Sequence, residues 1–278
     1  MFVLRIPVTP SAVEQINHLT KALAAVKSSH RVEALGRGLG FQTYAALLSA
    51  SRSPEPPLVT VSGKAFVHYL ENHSFDADPA EFYAAAARVA IRGVLDAMPR
   101  LSVHGIGFGR PQRNADGSRQ THEQQYAEFV ERRKECLGPH ATRAFLLSLA
   151  LLARVKPTKT IRSGTGSYRL KHVAENYECS YPEGSKLGPH YVPNGMLIAA
   201  AVHLGFNCKE HVDDLGYDTP NTTFNMSKSV IDDLDAEIRP KTGFAQDRAR
   251  ARLRRQANAR FATVKQRLSQ GDDVWPPT

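Results

Sequence analysis

The segment from Pro139 to Val155 (PHATRAFLLSLALLARV) constrains the fold most, because its apolar residues fall on several faces of a helical period. Such a helix has little surface to give to water, so it predicts the centre of a helix bundle. The neighbouring sequence supplies amphipathic partners. Ser11 to Val26 places Val13, Ile16, Leu19, Leu23 and Val26 at three- and four-residue steps behind the start signals Pro10 and Ser11. Short helices follow from Ser29 or His30 to about Gly38 and from Thr43 to Ser51, and longer ones over Gly63 to Asn72, Asp78 to Met98 and Glu123 to Cys136. Further helices are expected at Tyr168 to Glu178, Asn194 to Gly205 and Ser227 to Ile238, each opening at or just after an Asn or Ser that can cap it. Alternating strand patterns are confined to Phe2 to Val8 and Leu58 to Val61.

The expected fold is therefore mainly α. It divides into a small N-terminal helical unit (1–52), a main helical domain (58–240) holding the bundle and a loop-rich section, and a basic C-terminal helix and tail (241–278). The proline-rich stretch Ser51 to Pro57 (SRSPEPP) reads as a linker or rigid loop between the first two. Ser102 to Ser118, with four glycines, a proline and an Asn-Ala-Asp-Gly turn, reads as a long exposed loop. No internal repeat is present.

Three widely spaced cysteines, Cys136, Cys179 and Cys208, do not suit a paired disulfide framework and favour a reducing compartment. The opening MFVLRIPVTPS lacks the long apolar region and cleavage site of a secretion signal. Ala144 to Val155, interrupted by Arg154, is far short of the roughly 20 residues that cross a bilayer. A soluble, cytoplasmic protein with no membrane role is expected, and the glycosylation patterns at Asn221 and Asn225 are then idle.

Charge is unevenly placed. The chain carries 36 Lys and Arg against 27 Asp and Glu, a net charge of +9. Between Lys241 and Gln270 nine basic residues (two Lys, seven Arg) face one acid, Asp247. That same stretch reads as one long amphipathic helix from Phe244 to Leu268, with Phe244, Leu253, Ala257, Phe261, Val264 and Leu268 forming an apolar row able to dock on the protein body. Arg248, Arg252 and Arg255 share one face, and Arg250 and Arg254 flank it. Guanidinium groups make bidentate contacts to phosphate oxygens, so an Arg-rich helix suits a nucleic-acid backbone. The same pattern also serves solvated faces, acidic protein surfaces and membrane surfaces, though no Trp stands on this helix.

Ser29 to Leu48 (SHRVEALGRGLGFQTYAALL) has the outline of a helix-turn-helix: a small-residue step, a glycine turn and Thr43 as cap of the second helix. The second helix, Tyr44-Ala45-Ala46-Leu47-Leu48, offers almost no donor or acceptor to a DNA groove, which favours an αα-hairpin used for packing. This string resembles a small helical module of uncharacterised proteins carried by proteobacterial plasmids and integrative or conjugative elements. Gly166 to Glu175 (GSYRLKHVAE) and Asn194 to Ala201 (NGMLIAAA), ending at Gly205-Phe206, are similar to the same proteins. The resemblance covers a minor part of the chain and brings no activity with it. It implies a setting in DNA maintenance or transfer.

No complete catalytic motif stands in the sequence, and no cofactor is expected. Gly164-Thr165-Gly166-Ser167 precedes a helix bearing Arg169, Lys171 and His172, with Lys159 and Arg162 nearby. That makes either an anion-binding helix start or an ordinary capped one, and it is not a P-loop. Gly105-Ile106-Gly107-Phe108-Gly109 lacks the spacing of a dinucleotide loop, so loop flexibility accounts for it. His203, Cys208 and His211, with His172, His190 and Cys179 upstream, give usable zinc spacing at Cys208-x-x-His211 but no second tight pair. The pairs Asp213-Asp214 and Asp232-Asp233 suit capping and solvation.

The functional expectation is a non-catalytic nucleic-acid-binding accessory protein of a mobile element, with DNA preferred over RNA. Its contacts would be Arg248, Arg250, Arg252, Arg254 and Arg255, extended by Arg169 and Lys171. The alternatives are a protein-interaction module meeting an acidic partner surface, and a metal-dependent enzyme assembled from His172, Cys179, His203 and His211.

Overall fold

The computed structural model describes residues 2–269. Among them eleven α-helices carry the fold, joined by three two-stranded antiparallel ribbons, so the chain is mainly α. Its first helix, α1 (Pro10–Leu19), begins behind Thr9, whose hydroxyl accepts from the Ala12 N–H. It stops short of the expected Val26. The Thr20 hydroxyl donates to the carbonyls of Ile16 and Asn17 at 2.9 and 3.1 Å, and the chain tightens into a 3-10 turn over Thr20–Ala22.

Two helices then form a hairpin, α2 (Ser28–Gly38) and α3 (Tyr44–Ser51). Gly40 turns the chain at φ +86°, a conformation that costs glycine nothing, and Thr43 caps α3 by accepting from the Ala46 N–H. A Cβ on Gly36 would stand 3.1 Å from the Thr43 carbonyl carbon, so Gly36 is what lets the two helices approach; Gly38, which ends the Ala-x-x-x-Gly step, faces the Phe82 ring instead, where a Cβ would come within 2.6 Å. Glu33 locks them by accepting from the Tyr44 N–H at 3.0 Å.

The two expected strands find each other. β1 (Arg5–Pro7) pairs antiparallel with β2 (Leu58–Thr60), Ile6 standing opposite Val59. The proline-rich stretch therefore returns the chain to its start; it does not separate two domains, and the Val8 N–H donates to the Pro57 carbonyl at 2.9 Å. α2 also packs on α4 (Gly63–Glu71). The expected 1–52 unit thus has no boundary of its own. The chain divides into a first compact unit over 1–231 and a second over 232–278.

At the centre of the first unit lies α7 (Pro139–Leu152), buried without interruption from Ala144 to Leu152. α5 (Pro79–Ala97) and α9 (Asn194–His203) pack against it. Its two buried hydroxyls, on Thr142 and Ser148, donate to the Gly138 and Ala144 carbonyls, each at 2.8 Å, which removes the cost of burying them.

The expected long loop is shorter than 102–118. β3 (Leu101–Ser102) and β4 (Gly105–Ile106) pair at its start, with Leu101, Ser102, Val103 and Ile106 buried; only the part from residue 107 to α6 (His122–Glu135) is irregular. A second hairpin, β5 (Cys208–Val212) and β6 (Asp218–Phe224), has no counterpart in the sequence pattern. Its sequences, CKEHV and DTPNTTF, show little alternation, because only Thr222 and Phe224 are fully buried along it. α8 (Ser167–Glu175) reaches it where Ser167 Oγ accepts from the Thr222 N–H at 3.1 Å.

α10 (Lys228–Ile238) runs into the second unit, whose other described element is α11 (Gly243–Ser269). The side chains of Phe244 and Leu268 lie outside the described residues. Among the described residues no helix is long and apolar enough to cross a membrane.

Candidate nucleic-acid interface

α11 opens where the Thr242 hydroxyl, donating to the Arg239 carbonyl at 2.9 Å, stands ready to accept from the Ala245 N–H. Arg248 is held within the second unit. Its guanidinium reaches Asp232 Oδ2 at 3.2 Å and also pairs with Asp233. Arg239 pairs with the buried Asp235 at 2.6 Å. The acidic residues of α10 thus neutralise the basic residue nearest the helix start. Arg250 lies 3.7 Å from Asp247, one turn away, an exposed pair of little strength.

Beyond that point the character changes. Every residue from 251 to 267 is exposed. Arg252, Arg254, Arg255, Arg260, Lys265 and Arg267 meet no carboxylate within ion-pair distance among the described residues. Arg252 and Arg255 border a groove of about 640 Å³ that Asp233, Glu237 and Arg248 also line. At 3.6 residues per turn, Leu253, Phe261 and Val264 lie opposite the Arg248, Arg252 and Arg255 row, and Arg250 and Arg254 fall on the apolar side instead of flanking that row. The apolar row was expected to dock on the protein body, but these three side chains are 65%, 65% and 52% exposed.

The two predicted contacts outside this helix sit differently. Arg169, on α8, is half-buried and engaged in interactions of its own. Lys171 is only 7% exposed, so it is not a surface phosphate contact. Its ammonium donates to Glu175 Oε1 at 3.0 Å and lies 5.4 Å from the Tyr168 ring centre and 5.1 Å from that of Tyr191. Glu175 receives His172 Nδ1 on its other oxygen at 2.6 Å. Burial works against the Glu175 carboxylate, but the bonds from Lys171 and His172 win and hold its pKa below the ordinary carboxylate value. Tyr168 and Tyr191 are 57% and 64% exposed, and neither stands out from the sequence pattern as a site residue. Tyr168 stands three residues before Lys171 and Tyr191 twenty residues after it, a separation that no local pattern joins.

The metal-site residues do not assemble. His172 is bonded to Glu175, His211 Nε2 meets the Thr223 hydroxyl at 3.0 Å, and His203 sets its ring edge-on to Phe145 at 5.6 Å. Burial raises the thiol pKa values of Cys179 and Cys208 and lifts that of Cys136 to about 12, the opposite of an activated nucleophile. Among the described residues no three His, Cys, Asp or Glu side chains gather as a metal would need. Gly164 turns at φ +80° before α8, and its approach is occupied by the Lys228 side chain, which a Cβ would meet at 2.9 Å.

No family model, no curated protein and no solved structure matches the chain.

Proposed function

We propose that this chain is a non-catalytic nucleic-acid-binding accessory protein of a mobile genetic element, acting in the cytoplasm and contacting phosphates through α11, with DNA preferred over RNA. The observation that carries the reading is the run of exposed Arg252, Arg254, Arg255, Arg260, Lys265 and Arg267, unmatched by carboxylates among the described residues. At 3.6 residues per turn these cations are spread around the helix, and such a set gains affinity by releasing condensed counterions from a phosphate backbone. It supplies no base readout, because its donors are charged ends that any phosphate satisfies.

A second reading rests on the exposed apolar row. Leu253, Phe261 and Val264, bordered by basic residues, would also fit an amphipathic helix of an acidic protein partner.

The test is binding of a random 20-base-pair duplex by the full-length protein across a salt series, beside the triple variant R252A/R254A/R255A. The reading expects a falling affinity with salt. The triple substitution should flatten log K against log salt by up to about 0.9 for each phosphate that the variant no longer neutralises. Absence of binding at low salt, or a slope unmoved by the substitution, overturns it and leaves the acidic-partner reading.

A further inference from the structure

The surface around Lys171 has features that the α11 reading does not use. Two tyrosines present most of their ring area to solvent on either side of one ammonium group. Tyr168 comes from the first turn of α8, and Tyr191 from the loop leading into α9. An ammonium between two rings is attracted to both faces, and here it is also fixed from below by Glu175, itself braced by His172. The Tyr168 ring further meets the edge of His172, with ring centres 4.7 Å apart at 89°. Both tyrosines are thus held in place while remaining uncovered, an arrangement that core packing does not require.

The loop bearing Tyr191 is anchored as well. Arg143 Nε donates to the Leu187 carbonyl at 2.9 Å, and its charge, after burial, helps to hold the His190 pKa down. Lys186 stands exposed at the start of the same loop. Exposed aromatic rings beside positive charge are the chemistry by which proteins hold single strands: bases stack on the rings and phosphates follow exposed cations, here Lys186, while the buried Lys171 holds the rings. Another exposed aromatic cleft, about 470 Å³ around Phe108, Tyr126 and Tyr217, has no exposed lysine on its lining. Its nearest arginines are consumed, Arg100 by Asp218 and Glu210 and Arg110 by Asp213 and Asp214.

We infer that Tyr168 and Tyr191 form a stacking platform for the bases of a single nucleic-acid strand, with Lys171 as the positioning residue between them. The inference rests on the nucleic-acid reading above and names the form of nucleic acid taken by a second surface. Duplex binding then rests on α11 alone, whereas a single strand gains base stacking at the platform.

The experiment titrates full-length protein with labelled single-stranded dT20 and with a 20-base-pair duplex. The proteins are wild type, Y168A/Y191A, Y168F/Y191F and R252A/R254A/R255A. Because each stacked base contributes on the order of 1–3 kcal/mol, the alanine pair should weaken dT20 binding at least about tenfold. Its duplex affinity should stay within twofold. The phenylalanine pair keeps the ring faces and should retain dT20 binding within about threefold, whereas a role confined to tyrosine hydroxyl bonds would lose it. If duplex binding responds to the arginine substitutions but dT20 binding ignores Y168A/Y191A, the platform is refuted and the α11 reading survives. If wild type binds neither ligand, both fall together. If dT20 responds to Y168A/Y191A while the duplex ignores the arginines, the platform stands without α11.

Discussion

Tyr83 ties together three segments that are distant in sequence, and replacing it with phenylalanine isolates the energy of that tie. The Tyr83 side chain is buried in α5. Its hydroxyl accepts from the Gly63 N–H at 3.0 Å and donates to Glu183 Oε1 at 3.1 Å. Burial, together with the Glu183 carboxylate, drives the phenol pKa well above its ordinary value, so the group is a neutral donor at every accessible pH. Tyr83→Phe keeps the ring against Phe2, 5.2 Å away, and removes only the oxygen. The Gly63 N–H lies at the start of α4, where no earlier turn of the helix can accept from it, and it is buried. Left unpaired it costs about 1–3 kcal/mol, and Glu183, whose Oε2 is already buried without a partner, loses its donor as well. At about 2 kcal/mol, a unit of this size should lose about 4–8 °C in Tm. Calorimetry on wild type and Tyr83→Phe, with far-ultraviolet circular dichroism as a control for retained helix, measures it. A Tm within 1 °C of wild type would mean that water or another acceptor satisfies Gly63, and the reasoning would fail.

Other outcomes follow from the same structure. Gly195→Ala should destabilise by about 1–3 kcal/mol in denaturant titrations, because its Cβ would stand 1.8 Å from the Ser102 carbonyl oxygen; a midpoint equal to wild type would refute the close approach of α9 to the β3–β4 turn. Stability should fall as pH drops below about 6.5, since burial depresses the His203 pKa in the folded state while the unfolded chain takes up the proton. His203→Gln should make that decline shallower, and an unchanged Tm profile between pH 7 and 5 would contradict the assignment. Arg248→Ala should change the salt dependence of DNA binding by much less than 0.9 in slope, because Asp232 and Asp233 already occupy its guanidinium; a change as large as that from Arg252→Ala would show that phosphate displaces those carboxylates.

The sequence by itself determined the helices and their order. Periodicity and local capping chemistry at Thr43 and Asp78 are properties of contiguous residues, so α2 to α10 lie within a few residues of where the pattern puts them. It also located the concentration of arginine, which is a matter of counting. Tertiary structure decided the remainder. The pairing of β1 with β2 across the proline-rich stretch erased an expected domain boundary, and no local signal reports which distant strand a short apolar run will meet. The β5–β6 hairpin was illegible because a strand shows its pattern only when one whole face is buried, and here just the end of β6 is. Burial decided the site as well. Lys171 and Arg248 look like equivalent cations to any reading of charge, yet one is enclosed by two tyrosines and Glu175 and the other is held by two aspartates, while Arg252, Arg254 and Arg255 stay in water. A charge count cannot distinguish them, because what a cation can bind depends on what already surrounds it.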